Sequence, residues 1–455
     1  MDLTDTGELR ALASDCVHCG FCLPSCPTYQ LWGEEMDSPR GRIHLMTQVL
    51  DGAELTGAAA AHFDRCLGCM ACVTACPSGV RYDRLIEAAR AWTEGPSSPA
   101  GAAGGSPGNA KAAGGYRRPL RERAARAAIF ALFPYPRRLR ALAGPLRAAQ
   151  RAGLDRLITR SGLPDRFSPV LGAAMRLAPS PAAPQDAGRL PGRIPARGER
   201  RAVVGMLTGC VQSVFFPQVN VATARVLAAE GCDVIIPRGQ GCCGALSLHS
   251  GRTAEAAAFA RRTIETFERA GVDAVVVNSA GCGSAMKDYA EVLAGDADWA
   301  GRAKALSGKT HDFAEFLTGL YEAAGGPAAA RHPLPVTAAY HDACHLAHAQ
   351  RITGEPRALL RGIPGLSLAE VGDAGTCCGS AGVYNLLQPE AARELGDRKA
   401  DSVLATGAAL LVSANPGCSL QISSALAARG ERVAVAHTAE VLDASIRGIT
   451  PPAWT

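Results

Sequence analysis

Apolar residues recur along this 455-residue chain in two rhythms, and the change of rhythm divides it. Up to about residue 93 the spacing is helical. "SPRGRIHLMTQVL" from Ser38 offers a Ser cap, Pro at the first helical position and apolar residues on one face, and "VRYDRLIEAARAWTEG" after Pro77 reads as a closing helix. From Arg201 onward, apolar runs such as "AVVVNSA" and "ALLVSAN" alternate with helical patterns, the sign of α/β units with a parallel sheet. Between Tyr116 and about Arg176 the pattern predicts short Arg-rich amphipathic helices broken at Pro134, Pro136 and Gly144. Gly95 to Gly115 and, with more proline, about Ala178 to Gly198 read as linkers.

The last part of the chain also repeats itself. "AVVGMLTGC" pairs with "VTAAYHDAC", "GQGCCGALSLHSG" with "AGTCCGSAGVYN", and "DAVVVNSAGCGSAMKDY" with "GAALLVSANPGCSLQISS". The offsets are 134 for Cys210 and Cys344, 135 for Cys243 and Cys378, and 136 for Cys282 and Cys418, so an internal duplication is the economical explanation. The expected organisation is α plus α/β: helical residues 1–93, a linker and basic helical connector over 94–200, then α/β repeats over 201–325 and 326–455.

Composition changes the picture only where it is localised. The net charge is +5, yet Arg117 to Arg160 holds twelve Arg against Glu122 and Asp155, so the remainder of the chain is acidic. A basic amphipathic connector either lies on an anionic membrane surface or packs on that acidic remainder or on a partner subunit. No nucleic-acid reading motif or stacking aromatic series accompanies the arginines, and nucleic acid is not an expected partner. No run approaches the ~18 apolar residues of a membrane span. The acidic start "MDLTDTGELRALASD" lacks a signal-peptide core, so a cytoplasmic location is expected, or a peripheral one on the inner face of the cytoplasmic membrane.

The chemistry lies in the cysteines. Cys16, Cys19, Cys22 and Cys26, followed by Pro27, are echoed by Cys66, Cys69, Cys72 and Cys76, followed by Pro77, the two-cluster ferredoxin spacing written twice. Three thiolates at two-residue gaps can wrap three irons of a cubane, and in such proteins the fourth Cys of each run ligates the other cluster. One [4Fe-4S] cluster is therefore assigned to Cys16, Cys19, Cys22 and Cys76, the second to Cys66, Cys69, Cys72 and Cys26. Zinc would use pairs separated by a longer spacer and would leave the third Cys and the Pro unexplained. The 39 residues between Cys26 and Cys66 are too many for a small β-rich ferredoxin and favour a helical one.

Each repeat offers four more thiols just beyond its expected strand ends, where open α/β sheets place their sites. They are Cys210, Cys242, Cys243 and Cys282, then Cys344, Cys377, Cys378 and Cys418, flanked by glycines that let backbone approach an inorganic core. Free Cys is often merely a small buried apolar residue. That reading suits Cys232, which has no counterpart, but not eight residues repeated at one spacing, for which soft thiolates favour iron-sulfur ligation. His311, His341, His345, His348 and His437 lie nearby and are expected to bond or cap rather than ligate.

Two ferredoxin motifs followed by two CCG-type repeats resemble a family that includes the iron-sulfur subunits of glycolate oxidase and lactate utilisation, the C subunit of anaerobic glycerol-3-phosphate dehydrogenase and the heterodisulfide reductase subunits. "CVHCGFCLPSCPTYQLWGEEMDSPRGRI", "DRCLGCMACVTACPSGVRYDRLIE", "NVATARVLAAEGCDV", "CCGSAGVYNLL" and "SANPGC" are most similar to the glycolate oxidase branch. The resemblance implies an electron-transfer subunit that takes electrons from FAD on partner subunits, as glycolate becomes glyoxylate, and passes them toward a quinone or another acceptor. Lactate, glycerol 3-phosphate or thiol-disulfide chemistry is the alternative. No Gly-x-Gly-x2-Gly turn joins a strand to a helix, which agrees with a flavin held on another chain and no substrate site or catalytic residue here. The repeats also depart from the heterodisulfide reductase pattern, whose final Cys-x2-Cys here has Ala285 and Gln421 at its last position. A plain cubane, a degenerate site and an empty fold all stay open for them.

Overall fold

The computed structural model describes residues 5–94, 116–178 and 190–449. The linker expected at 95–115 lies outside them, as does the 179–189 part of the second.

Residues 5–94 are built from helices. The Ser38 hydroxyl accepts from the Gly41 N–H at 3.0 Å, Pro39 opens the helix Pro39–Leu50, and Ile43, Met46, Val49 and Leu50 enter the core. The helix Tyr82–Glu94 is buried nearly all round. One side carries Leu85, Ile86, Ala89 and Trp92 into that core. Its polar side docks on the first repeat, where Arg84 donates to Asp288 at 3.1 Å and Arg90 to the His249 carbonyl at 2.7 Å. A side chain at Gly251, whose φ is +79°, would overlap the Arg90 backbone, so this docking requires glycine.

The two repeats share one strand order. In the first, β1 (Arg193–Ile194), β3 (Cys232–Ile235), β2 (Ala202–Leu207), β4 (Ala274–Val277) and β5 (Thr310–Asp312) lie side by side. In the second the order is β7 (Leu366–Glu370), β6 (Val336–His341), β8 (Leu410–Ser413) and β9 (Ala434–Ala436). Every pairing is parallel except that of β1, an antiparallel edge strand supplied from upstream of the duplicated unit. The repeats fuse into one core, with Val204, Met206 and Val226 in the same cluster as Tyr340, Leu410 and Leu442. Cys232 is a fully buried member of it, and burial pushes its thiol up to about 12.

The connector forms helices Leu120–Leu132, Pro136–Arg151, Leu154–Arg160, Leu163–Phe167 and Pro169–Arg176. The break expected at Gly144 is absent: the second of these helices runs through Gly144 and Pro145. An interior proline costs about 3 kcal/mol, and the burial of Leu139 and Ala143 against Val214 of the first repeat offsets it. The first helix packs on acidic neighbours, as one of the two readings of its charge requires. Arg118 and Arg126 pair with Glu94 at 2.9 and 3.0 Å, and Arg126 also with Asp64 at 3.2 Å. Among the described residues no helix is long and apolar enough to cross a membrane.

Candidate metal centres

Two cavities open within the N-terminal helices. One is lined by Cys26, Cys66, Cys69 and Cys72 with Arg42 and Tyr82. The other is lined by Cys16, Cys19, Cys22 and Cys76. Each motif thus sends three thiols to one cavity and its fourth to the other. The loops manage this by placing left-handed residues two and four positions after the first Cys: His18 (φ 53°) and Gly20 (φ 87°) in one, Gly68 (φ 65°) and Met70 (φ 63°) in the other. Alternating handedness turns successive backbone N–H groups and thiols onto one concave side, the nest geometry that holds anionic iron-sulfur cores. At His18 and Met70 it costs about 1–2 kcal/mol each.

The cavities differ in exposure. Cys26, Cys66, Cys69 and Cys72 are all buried. Cys19 is exposed, and Val17 and Phe21 beside it are 68% and 67% exposed, so the first set reaches the surface through an apolar rim. The buried set has its own cation. Arg42, with no exposed surface, donates to the Asp37 carbonyl at 2.6 Å, the Asp37 carboxylate at 3.2 Å, Thr28 Oγ1 at 3.2 Å and the His62 carbonyl at 2.7 Å. Burial raises the Cys66 thiol, but the Arg42 and Arg90 guanidinium groups outweigh it and hold the group below its ordinary value. Cys72, without that help, is pushed well up by burial and by Cys69.

In each repeat the thiols follow three adjacent strands: Cys210 and Cys344 come after the central strands β2 and β6, the Cys pairs after β3 and β7, and Cys282 and Cys418 after β4 and β8. Within the first, Cys242 touches Cys210 and Cys243, and Cys243 touches Cys282. Within the second, Cys344 Sγ lies 4.0 Å from Cys377 Sγ, while Cys378 touches Cys377 and Cys418. The Cys-Cys turn of the second relies on Gly379, whose φ is +87° and where a Cβ would lie 2.6 Å from the Ala392 carbonyl oxygen. Soft donors gathered at this spacing fit an iron-sulfur centre.

The two repeats are not equally placed. Cys69 and Leu67 of the buried ferredoxin set share an apolar cluster with Cys377 and Tyr384, against which Cys344 packs. Burial, and next the neighbouring Cys344, push the Cys69 thiol well above its ordinary value. His345 Nε2 donates to the Gly68 carbonyl at 3.0 Å, and His348 Nδ1 lies 3.1 Å from Thr74 Oγ1. The first repeat's Cys210 and Cys242 pack instead with Phe259, beside Tyr135 of the connector.

The histidines mostly bond, as expected. His437 Nδ1 accepts from the Ala439 N–H at 3.0 Å as a helix cap, and His311 lies 3.8 Å from the Glu315 carboxylate. His341 does not follow. It ends β6, is 1% exposed, and its ring nitrogens meet no oxygen or nitrogen partner, only the Cys378 thiol. Sequence reasoning passed over His249, whose ring packs at a tilt of 59° on that of His345 with centroids 4.7 Å apart and lies 3.2 Å from Glu87 Oε1. No spacing rule links residues from three domains.

Burial, then Arg90 and Arg84, hold the His249 imidazole down at about 4. An imidazole kept neutral costs stability as pH falls from about 6.5 to about 4. Glu87, pushed up to about 7 by burial, has the opposite sign between about 4.5 and 7 and is present in both proteins. His249→Gln should therefore gain stability relative to wild type on acidification from pH 6.5 to 4.5, read as the urea midpoint. Parallel pH profiles for the two proteins would refute this.

Similarity to known proteins follows the same division. Residues 12–80 match a 4Fe-4S dicluster domain, 121–178 the linker region of glycolate oxidase iron-sulfur subunits, and 204–287 and 338–423 a cysteine-rich domain. The chain is 36% identical over 443 residues to a probable glycolate oxidase iron-sulfur subunit of Bacillus subtilis (strain 168), covering 96% of this chain and 94% of that one. It is 35% identical over 452 residues to the glycolate oxidase iron-sulfur subunit of Escherichia coli (strain K12), covering 96% of each. Lactate utilization protein A of Exiguobacterium sp. is 32% identical over 244 residues, 54% of this chain and 98% of that protein.

Proposed function

Because the chain belongs to the family of glycolate oxidase iron-sulfur subunits, we propose that it conducts electrons from FAD on partner subunits, where glycolate becomes glyoxylate, to a quinone or another acceptor. The observation that carries this reading is the sharing of one apolar cluster by Cys69, Cys377 and the edge of Cys344, which puts a ferredoxin cavity and a repeat's thiols side by side. Oxidation of the alcohol releases two electrons together as a hydride equivalent, and iron-sulfur clusters accept them one at a time.

In this reading Cys16, Cys19, Cys22 and Cys76 hold one [4Fe-4S] cluster, and Cys66, Cys69, Cys72 and Cys26 the second. The exposed Val17 and Phe21 offer a partner an apolar contact beside the first set. Arg42 and Arg90 favour added negative charge at the second, and Leu67, Met70 and Tyr82 keep water from it. The second repeat's thiols continue the line. The connector fastens the repeats to the N-terminal helices through Arg118 and Arg126, and the exposed Leu157 and Phe167 on its outer side offer an apolar surface to a partner or a lipid headgroup region.

Purified with its flavoprotein partners in the absence of oxygen, the complex should lose its visible iron-sulfur absorption on addition of glycolate. Bleaching by lactate alone would move the substrate to the rival branch, and no bleaching by either would end the proposal. Iron and acid-labile sulfide count the centres: about eight irons per chain confine redox work to the N-terminal helices, and about twelve to sixteen extend it into the repeats.

A further inference from the structure

The second repeat carries a donor that the first lacks. His341 Nδ1 or Nε2, Cys378 Sγ and Cys418 Sγ lie within 4.8 Å of one another, all in buried residues. At the same place in the first repeat, at the end of β2, stands Leu207, so the fold itself has no need of an imidazole there. Leaving a buried polar group without a partner costs about 1–3 kcal/mol, and the ring of His341 meets none but the Cys378 thiol. Ser413 Oγ, across the β6–β8 register from His341, is likewise buried and unpartnered. The other buried histidines of this region each have one nitrogen bonded to the backbone: His345 bonds Gly68, and His437 caps its helix. Gln421 is spoken for, donating to the Ala392 carbonyl at 2.7 Å and accepting from Asn385 at 3.2 Å.

We propose that His341 is a metal ligand, and that with Cys378 and Cys418 it holds one thiophilic ion, either an iron of a sulfide cluster or a zinc. Donors this close can share a single ion, because ligands 2.0–2.3 Å from one metal are necessarily within about 4–5 Å of each other. One imidazole with two thiolates suits these two metals and disfavours hard cations. The repeats are then inequivalent: the first has thiolates alone, the second mixed nitrogen and sulfur ligation. A neutral imidazole leaves an iron centre less negative than a thiolate would, which raises its reduction potential. The second repeat, packed against Cys69, thereby becomes the better electron sink. The inference rests on the reading that the repeats bind metal.

The test uses the full chain purified without oxygen, with iron and zinc measured separately and pulsed EPR of the reduced protein for directly bound nitrogen. Wild type should show either that nitrogen coupling or about one zinc per chain. His341→Ala should lose it while the two ferredoxin signals persist. His341→Cys, which keeps a thiophilic donor should the alanine variant misfold, should retain the metal but lose the coupling. Iron beyond the two ferredoxin clusters without nitrogen coupling, or zinc unchanged in His341→Ala, overturns the role of His341 and leaves the relay standing. About eight irons and no zinc overturn both this inference and metal binding by the repeats.

Discussion

Cys26→Ser is expected to empty the cavity formed mostly by the second motif, removing about four irons per chain and leaving the site at Cys16, Cys19 and Cys22 loaded. The two other Cys16-motif thiols nearest in sequence play no part in that cavity; Cys26 joins it because Pro27 opens a helix that carries the chain inward. Its sulfur sits 3.3 Å from Thr28 Oγ1 and 3.6 Å from the Asp37 carbonyl oxygen, in a wall with no spare thiol. A serine oxygen is a harder and far less acidic donor, so the fourth iron would be left without a thiolate. EPR of the reduced variant should show one isolated cluster where the wild type shows two interacting ones. Cys76→Ser is the reciprocal experiment and should spare the buried site. Loss of the first-motif cluster in Cys26→Ser would mean that the ligand sets are not crossed.

Arg42→Leu is expected to destabilise the chain by about 3–5 kcal/mol, the cost of breaking a buried ion pair from one side. Asp37, fully buried, would keep only His62 at 2.9 Å and the partly exposed Arg65 at 3.0 Å. Arg42→Lys retains the charge but not the planar fork that reaches the Asp37 carbonyl, its carboxylate and the His62 carbonyl together, and should fall between. A thermal or urea transition reads the stability. A redox titration reads the second consequence: removing the cation beside Cys66 should lower the potential of the buried cluster and leave that of the exposed one unchanged. A leucine variant with wild-type stability and potential would show that Arg42 is neither a structural partner nor an electrostatic one.

Much of this molecule is written in local pattern. The helix Pro39–Leu50 begins where a Ser-Pro signal placed it, because capping and the fixed φ of proline act within one turn. The strands of both repeats appear where apolar runs stood, and the thiols follow their C-terminal ends. Gly144 and Pro145 are the counterexample. A local breaker was overruled by Leu139 and Ala143 packing on Val214, a contact between residues far apart in the chain. Likewise, Arg84, Glu87 and Arg90 are charged residues of the closing helix and yet are buried, because the first repeat closes over them.

What the sequence determined by itself is the inventory and the modular plan: two motifs whose spacing suits cubane clusters, a duplicated α/β unit, and a connector whose positive charge matches an acidic body. Spacing and periodicity are properties of neighbouring residues, so they survive without a structure. Tertiary structure alone decided that Cys69 meets Cys344 while the first repeat's thiols face the connector, and that His341 is shut in with two sulfurs and no oxygen or nitrogen partner. Those relations arise where separately folded segments touch, and which duplicated copy receives the ferredoxin is settled by how whole surfaces pack.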